Sequence, residues 1–203
     1  MKSRLVLVGN GMAGVRTLEE LLKVAPEAYD MTVFGAEPYG NYNRILLSPL
    51  LAGEKSVTQI MLNDEHWYAE HGITLHKGTR VVQLDRARRQ VVGEDGTVAS
   101  YDRLVLATGS DPFVVPVPGV DLPGVFSFRN IQDVQTMLAA VAEGQPVVVI
   151  GGGLLGLEAA NGLMQHGARV TVVHLMGTLM ERQLDPPASA LLKRSLEARG
   201  LHI

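Results

Sequence analysis

Two stretches of the chain carry the same pattern, "VGNGMAG" at Val8–Gly14 and "IGGGLLG" at Ile150–Gly156. In each, a short apolar run ends in glycine, and two more glycines complete a G-x-G-x-x-G spacing ahead of a helix-forming segment. Each glycine has a mechanical reason. The first permits the tight turn out of a strand, the second lets backbone approach a pyrophosphate, and the third permits close helix–strand packing. The helix N-terminus then offers free N–H groups and a positive dipole end to the phosphates. A single motif of this kind can be a glycine-rich turn without a ligand. Two of them, about 140 residues apart and both in β-α-β context, are far harder to produce by chance. They imply two dinucleotides, the arrangement that hydride transfer between two cofactors needs.

The surrounding residues supply that context. Leu5–Val8 reads as a buried parallel strand, Met12–Val24 as a helix and Met31–Phe34 as the next strand, a βαβ unit. Residues 37–54 are rich in Pro, Asn, Gly and Leu and read as a loop with a short helix. Asn63–Gly72 reads as an N-capped helix closed by glycine. Four short strands follow, at Ile73–His76, Val81–Leu84, Gln90–Val92 and Thr97–Tyr101, the last two facing each other across "GEDG". Leu104–Ala107 is again an apolar strand, ending in "TGS". Asp111–Gly124 contains four prolines and reads as an extended linker. Beyond it come a helix at Ile131–Val141, a strand at Val147–Ile150, a helix at Leu154–His166, a strand at Val170–Val173 and a helix near Ala188–Ala198. The closing "GLHI" reads as a strand just begun. The expected fold class is α/β, with two Rossmann-like units of the glutathione-reductase type, the second inserted and truncated. The domains are expected at residues 1–115, a first FAD-binding segment with a β-meander, and 116–203, the N-terminal part of an NAD(P)H-binding domain.

Composition narrows the chemistry. Hydrophobic residues make up 46% of the 203, ample for a core. A net charge of −3 without a basic block gives no electrostatic support to a nucleic-acid or anionic-membrane partner. The apolar runs are strand-sized, far short of the roughly 20 residues of a membrane span. No signal-peptide pattern follows Met1, and a cytoplasmic location fits. With no cysteine, these residues hold no disulfide, thiolate nucleophile or cysteine-ligated metal. Redox chemistry here has to come from an organic cofactor.

An acid at the end of the second strand of such a unit ordinarily receives ribose hydroxyls. In the first unit Glu37 is the candidate, slightly late, and a solvated loop acid is the alternative. In the second unit His174 stands where the acid belongs. An imidazole cannot reproduce a carboxylate's acceptance of two hydroxyls. Protonated, it could contact a 2′-phosphate, but the nearest downstream arginine is Arg182. NADH and NADPH both stay open.

The order of fingerprint, "LVLATGSDPFVVPVPG" and second fingerprint resembles the flavoprotein reductases with two dinucleotide-binding domains, over essentially the whole chain. The resemblance implies FAD in the first unit and NAD(P)H in the second. It implies FAD contacts from Gly9, Gly11, Met12, Ala13, Gly14, Glu37, Arg44, Ser48, Val81, Ala107, Thr108 and Gly109, with Arg44 neutralising pyrophosphate charge. For NAD(P)H it implies Gly151, Gly153, Leu154, Leu155, Gly156 and His174. Glu158 is implied near the nicotinamide as the catalytic residue. Two alternatives stand beside these roles: Arg44 as a surface cap of the short helix, and Glu158 as a structurally paired helix acid. "NYNRILLSPLLAGE" is similar to a loop of oxygenase-coupled ferredoxin reductases, but lacks their lysine; disulfide-type relatives place a redox cysteine near Leu46, and none is present. With "HLMGTLMERQLD", this loop most closely resembles the large subunit of NAD(P)H-dependent assimilatory nitrite reductases. There FAD passes electrons to iron–sulfur and sirohaem centres in later domains, which this chain does not contain.

The expected function is therefore a reductase module feeding a redox acceptor domain or protein, a homodimer being possible. A stand-alone rubredoxin or ferredoxin reductase is one alternative, and a nucleotide-binding scaffold without electron transfer is another. Because the resemblance implies an FAD domain completed by later sequence, the 203 residues alone are expected to bind FAD weakly or not at all and to be catalytically idle. Other signals carry less. His66, His71 and His76 share no helix face, so a metal site is not expected; no G-x-S-x-G elbow occurs. "RARRQ" (Arg86–Gln90) reads as protection of a hairpin edge, with docking of an acidic electron-transfer partner as the alternative, and Trp67 and Tyr68 read as packing residues.

Overall fold

The computed structural model describes residues 2–203. The chain opens with β1 (Ser3–Val8), α1 (Met12–Val24) and β2 (Tyr29–Gly35), followed by β3 (Asn41–Tyr42), α2 (Leu47–Leu51), α3 (Val57–Ile60) and β4 (Met61–Asn63). Then come α4 (Glu65–Glu70), β5 (Thr74–Lys77), β6 (Val81–Asp85), β7 (Gln90–Gly93), β8 (Val98–Ser100) and β9 (Arg103–Leu106). The remainder is α5 (Ile131–Ala140), β10 (Pro146–Ile150), α6 (Leu154–Gln165), β11 (Arg169–Val173) and α7 (Pro186–Ala198). These elements group into two compact units. One joins residues 2–44 to Met61–Asp111; the other joins Ile45–Ile60 to Pro112–Ile203. Both are α/β and Rossmann-like.

The first unit is built on a four-stranded sheet in the order β5-β2-β1-β9, whose three pairings are parallel. Alternation along β1 decides what covers it. Leu5 and Leu7 turn to one face and pack with Leu18 of α1, Met31 and Val33 of β2, Tyr68 of α4 and Ile73. Val6 and Val8 turn to the other, where they meet Phe34, Val91 and Tyr101. That second face is covered by the antiparallel meander β6-β7-β8 rather than by a helix. Its hairpin closes across "GEDG", with Val92 opposite Val98 and Gly96 in the left-handed region at φ +84°. "RARR" forms the turn between β6 and β7 instead of an edge; the Arg88 N–H caps onto Asp85 at 2.8 Å, and Arg89 has φ +53°.

α4 starts one residue later than its asparagine suggests, because Asp64 is the cap that accepts from the Trp67 N–H. Each of the three spaced histidines has its own partner. His66 pairs with Glu70, His71 lies tilted against the Trp67 ring, and His76 stacks on Phe34 at 4.7 Å.

In the second unit β10 and β11 pair in parallel, and a bridge from Thr171 to His202 begins the strand anticipated at "GLHI". α6 buries Leu157, Ala160 and Leu163, while Val170 and Val172 of β11 are also buried. α5 buries Ile131 and Val134 behind a complete capping box from Asn130 and Asp133. α7 begins at Pro186, two residues before the sequence reading, since Asp185 caps it and proline is tolerated in a first turn. No helix among the described residues is long and apolar enough to cross a membrane.

Candidate functional site

The first fingerprint lies where β1 ends. The Gly9 N–H donates to Phe34 O at 2.9 Å, and Gly9 takes φ +111°, a region that side-chain-bearing residues scarcely visit. A Cβ there would also stand 2.1 Å from Ala107 O. Gly14 is equally constrained: its Cβ would fall 2.6 Å from Gly9 O. Between them Gly11 is extended, and among the described residues nothing lies within 4 Å of where its Cβ would be. Of the three fingerprint glycines, Gly11 is thus the one with open space beside it. Gly11 is the N-cap of α1 and gives the helix no side-chain cap, whereas α4, α5 and α7 are all capped by Asp or Asn. The N–H groups of Met12 and Ala13 open the first turn and are of the kind that an anion satisfies.

Two neighbouring segments line the same end of the sheet. The Ala107 N–H donates to Val8 O at 2.8 Å, and Gly109 follows at φ +77° with open space about it. Thr108 lies between them. On the other side, beyond β2, the two oxygens of Glu37 accept separately from Tyr42 Oη (2.6 Å) and Arg44 Nη2 (2.5 Å). The Arg44 guanidinium also lies over the Tyr42 ring, 5.0 Å from its centre. Each carboxylate oxygen keeps a lone pair for a hydroxyl. Val81 opens β6 opposite Gly93 and packs against the Val6–Val8 cluster.

Asn10, inside the first fingerprint, joins a network that the sequence did not disclose. Its Oδ1 accepts from Tyr68 Oη at 2.6 Å, its Nδ2 donates to Tyr39 O at 3.2 Å, and its carbonyl accepts from Asn41 Nδ2 at 3.0 Å. Burial pushes the Tyr68 hydroxyl up to about 12, against the pull of the Asn10 bond, so it stays a donor. Tyr68 therefore fixes the turn as well as filling the core. The only advance signal was a polar residue between two fingerprint glycines.

The second fingerprint repeats the geometry. Gly151 has φ +122° and donates to Val173 O at 2.9 Å. A Cβ on Gly156 would stand 2.0 Å from Gly151 O, while Gly153, the uncapped N-cap of α6, again has open space. Leu154 and Leu155 form the first helical turn, their side chains more than half exposed. Both turns thus fit a dinucleotide pyrophosphate: the blocked glycines shape them and the open ones leave them accessible.

Three further candidate residues also lie in the second unit. Ser48 Oγ donates to Glu158 Oε2 at 2.5 Å, so the α2 hydroxyl and the α6 carboxylate form one pair. His174 Nδ1 accepts from the Gly152 N–H at 3.0 Å, and its Nε2 lies 3.1 Å from Glu181 Oε2. Among the described residues no group of three or more His, Cys, Asp or Glu could hold a metal ion.

Comparison with known proteins agrees with this architecture. A family model described as pyridine nucleotide-disulphide oxidoreductase matches residues 3–203. Nitrite reductase [NAD(P)H] of Bacillus subtilis is 52% identical over 200 residues, covering 98% of this chain and 25% of that protein. The assimilatory nitrate reductase electron transfer subunit of the same organism is 48% identical over 200 residues, covering 98% of this chain and 26% of its own length. The solved covalent putidaredoxin reductase–putidaredoxin complex has a TM-score of 0.88 at 31% identity, covering 99% of this chain and 49% of that one. The chain thus spans about a quarter of the length of these curated relatives.

Proposed function

The chain belongs to the pyridine nucleotide-disulphide oxidoreductase family, and from that premise we propose that it is the nucleotide-binding part of an FAD-dependent reductase. It takes hydride from NAD(P)H and passes electrons to an iron–sulfur and sirohaem centre of a longer protein, where nitrite is reduced to ammonium. The observation that carries the reading is the duplicated turn: Gly11 and Gly153 each leave open space before an uncapped helix, preceded by a glycine at positive φ (Gly9, Gly151) and followed by one whose Cβ would strike backbone (Gly14, Gly156). Identities of 52% and 48% to a nitrite reductase and a nitrate-assimilation subunit support the choice of acceptor.

Bound FAD supplies a two-electron carrier that accepts hydride and releases electrons onward. The chain's own residues bind and orient. Gly9 and Gly14 shape the first turn, and Gly11, Met12 and Ala13 present their N–H groups to the FAD pyrophosphate. Glu37 uses its remaining lone pairs for the ribose hydroxyls, with Arg44 and Tyr42 fixing its carboxylate and Arg44 adding positive charge for the phosphates. Ala107, Thr108 and Gly109 line the flavin side of the turn, and Val81 supplies apolar contact. Gly151, Gly153, Leu154, Leu155, Gly156 and His174 hold the nicotinamide nucleotide. Glu158 serves beside the nicotinamide, its carboxylate oriented by the Ser48 hydroxyl. No cysteine is present, so no dithiol step runs within these 203 residues.

The partner is a redox acceptor domain or protein. The reaction is placed in the cytoplasm, and self-association as a homodimer is checked by sedimentation. The test uses the full-length protein that carries this chain. Flavin absorbance that bleaches on adding NAD(P)H supports the proposal, and a colourless protein that takes up no FAD rejects it. Iron and sirohaem in that preparation assign nitrite reduction. Flavin without either assigns a stand-alone rubredoxin or ferredoxin reductase.

A further inference from the structure

The second nucleotide-binding turn acquires a carboxylate by an indirect route. β11 ends at Val173, and the next position, where an acid ordinarily receives ribose hydroxyls, holds His174. His174 Nδ1 accepts the Gly152 N–H at 3.0 Å, so the single proton of the neutral ring sits on Nε2. Nε2 lies 3.1 Å from Glu181 Oε2 and donates to it. The imidazole is therefore already committed on both nitrogens, and it relays the fingerprint backbone to an acid seven residues further on.

The loop that delivers Glu181 is tied to the same glycine a second time. The Met180 N–H donates to Gly152 O at 3.0 Å, and Met180 takes φ +50°. For a side-chain-bearing residue that conformation persists where its surroundings impose it. Leu179 is buried just before it, and a Cβ on Gly152 would meet Leu179 at 2.6 Å and His174 at 2.8 Å. Gly152 thus anchors both ends of the segment 174–180. The Glu181 side chain keeps 31% of its surface exposed. Its own backbone N–H, then His174, hold its carboxyl below the usual range, so it is ionised at neutral pH.

We infer that Glu181, held by His174, is the acceptor for the adenosine ribose hydroxyls of the nicotinamide nucleotide, and that the site selects NADH over NADPH. This rests on the reductase reading above. A carboxylate accepts two vicinal hydroxyls, whereas it meets a 2′-phosphate as a like charge. Arg182, next in sequence, is the group that a 2′-phosphate would seek.

The test is a calorimetric titration of the full-length protein with ADP-ribose and with its 2′-phosphorylated form, ligands that need neither flavin nor turnover. Wild type is expected to bind ADP-ribose at least about tenfold more tightly, the scale of a like-charge contact. Glu181→Gln keeps the side-chain length and an acceptor for His174 but removes the charge. It is expected to weaken ADP-ribose and to narrow the preference to within about threefold, with an unchanged melting temperature. A wild-type preference for the phosphorylated ligand assigns the loop to Arg182 and overturns the inference. So does equal wild-type binding of the two, or a Glu181→Gln ratio equal to wild type. Binding of neither ligand, nor of NADH, overturns the reductase reading as well.

Discussion

The Ser48 hydroxyl and the Glu158 carboxylate, 110 residues apart in sequence, meet at 2.5 Å. The bond is one of three rungs between α2 and α6. Leu51 packs against Gly162, and His166 Nε2 lies 2.8 Å from Leu51 O. Residues 158, 162 and 166 recur every fourth position and so share a helix face. Ser48→Ala removes the donor to a part-buried carboxylate, and the melting transition is expected to fall by the equivalent of about 1 kcal/mol. Gly162→Ala is the harsher change, because its Cβ lands 2.8 Å from Leu51 Cγ. Overpacking of this kind costs about 1–3 kcal/mol. Calorimetric melts of both variants check the order; a Ser48→Ala protein melting below Gly162→Ala contradicts it.

The glycines of the first fingerprint separate folding from ligand binding. Gly9→Ala introduces a side chain at φ +111° and 2.1 Å from Ala107 O, so a protein that fails to fold is the expected outcome. Gly11→Ala adds a methyl group to open space in extended backbone. Its melting temperature without FAD is expected to stay close to wild type, while FAD affinity drops about tenfold or more, the methyl group now occupying the pyrophosphate approach. Flavin titration alongside the melts decides this. Wild-type FAD affinity in Gly11→Ala removes the phosphate-cradle reading of that residue.

Why were these glycines legible in advance when much of the site was not? A positive φ or a backbone contact near 2 Å excludes every side chain, so the constraint is written into the residue type itself. "GEDG" is legible for the same reason, since Gly96 needs the left-handed region. The Asn10–Tyr68–Asn41 network left no such mark, because its members come from separate elements and any of them could have been ordinary packing or loop residues. The relay from Gly152 through His174 to Glu181 was hidden too, as it depends on the turn at Met180. Residues 45–60 read as part of the first segment, yet they cluster with the second unit through α2 and α6. Their sequence is merely apolar, and apolarity names no partner.

Arg4 and Asp102 join the start of β1 to the residue before β9. Asp102 accepts from the Arg4 backbone N–H at 2.9 Å and from the Arg4 guanidinium at 3.2 and 3.0 Å. The Arg4 side chain, then its N–H, hold the Asp102 carboxyl down at about 2, against an ordinary 3.8. Because the folded value is the lower one, this contribution is fully present above about pH 4 and is lost as pH falls toward about 2. Asp102→Asn is expected to be less stable at neutral pH and to lose less on acidification. Melting temperatures of both proteins between about pH 6 and pH 2 measure it; parallel curves count against the pair.

Tyr68 gives the opposite dependence at the alkaline end. Burial raises its hydroxyl from 10.0 to about 12, so the folded chain holds that proton more tightly than the unfolded one. The stabilisation is fully present below about pH 10 and declines as pH rises toward about 12. Tyr68→Phe removes this slope, and the gap between the two stability curves is expected to shrink through that interval. At neutral pH the same change takes away the donor to Asn10 Oδ1, and an unsatisfied buried acceptor costs about 1–3 kcal/mol. Since Asn10 sits between Gly9 and Gly11, the loosened turn is also expected to hold FAD more weakly, by a smaller factor than in Gly11→Ala. Melts across the alkaline range, paired with flavin titration at neutral pH, test both halves. A Tyr68→Phe protein with wild-type stability and FAD affinity would return Tyr68 to a packing role alone.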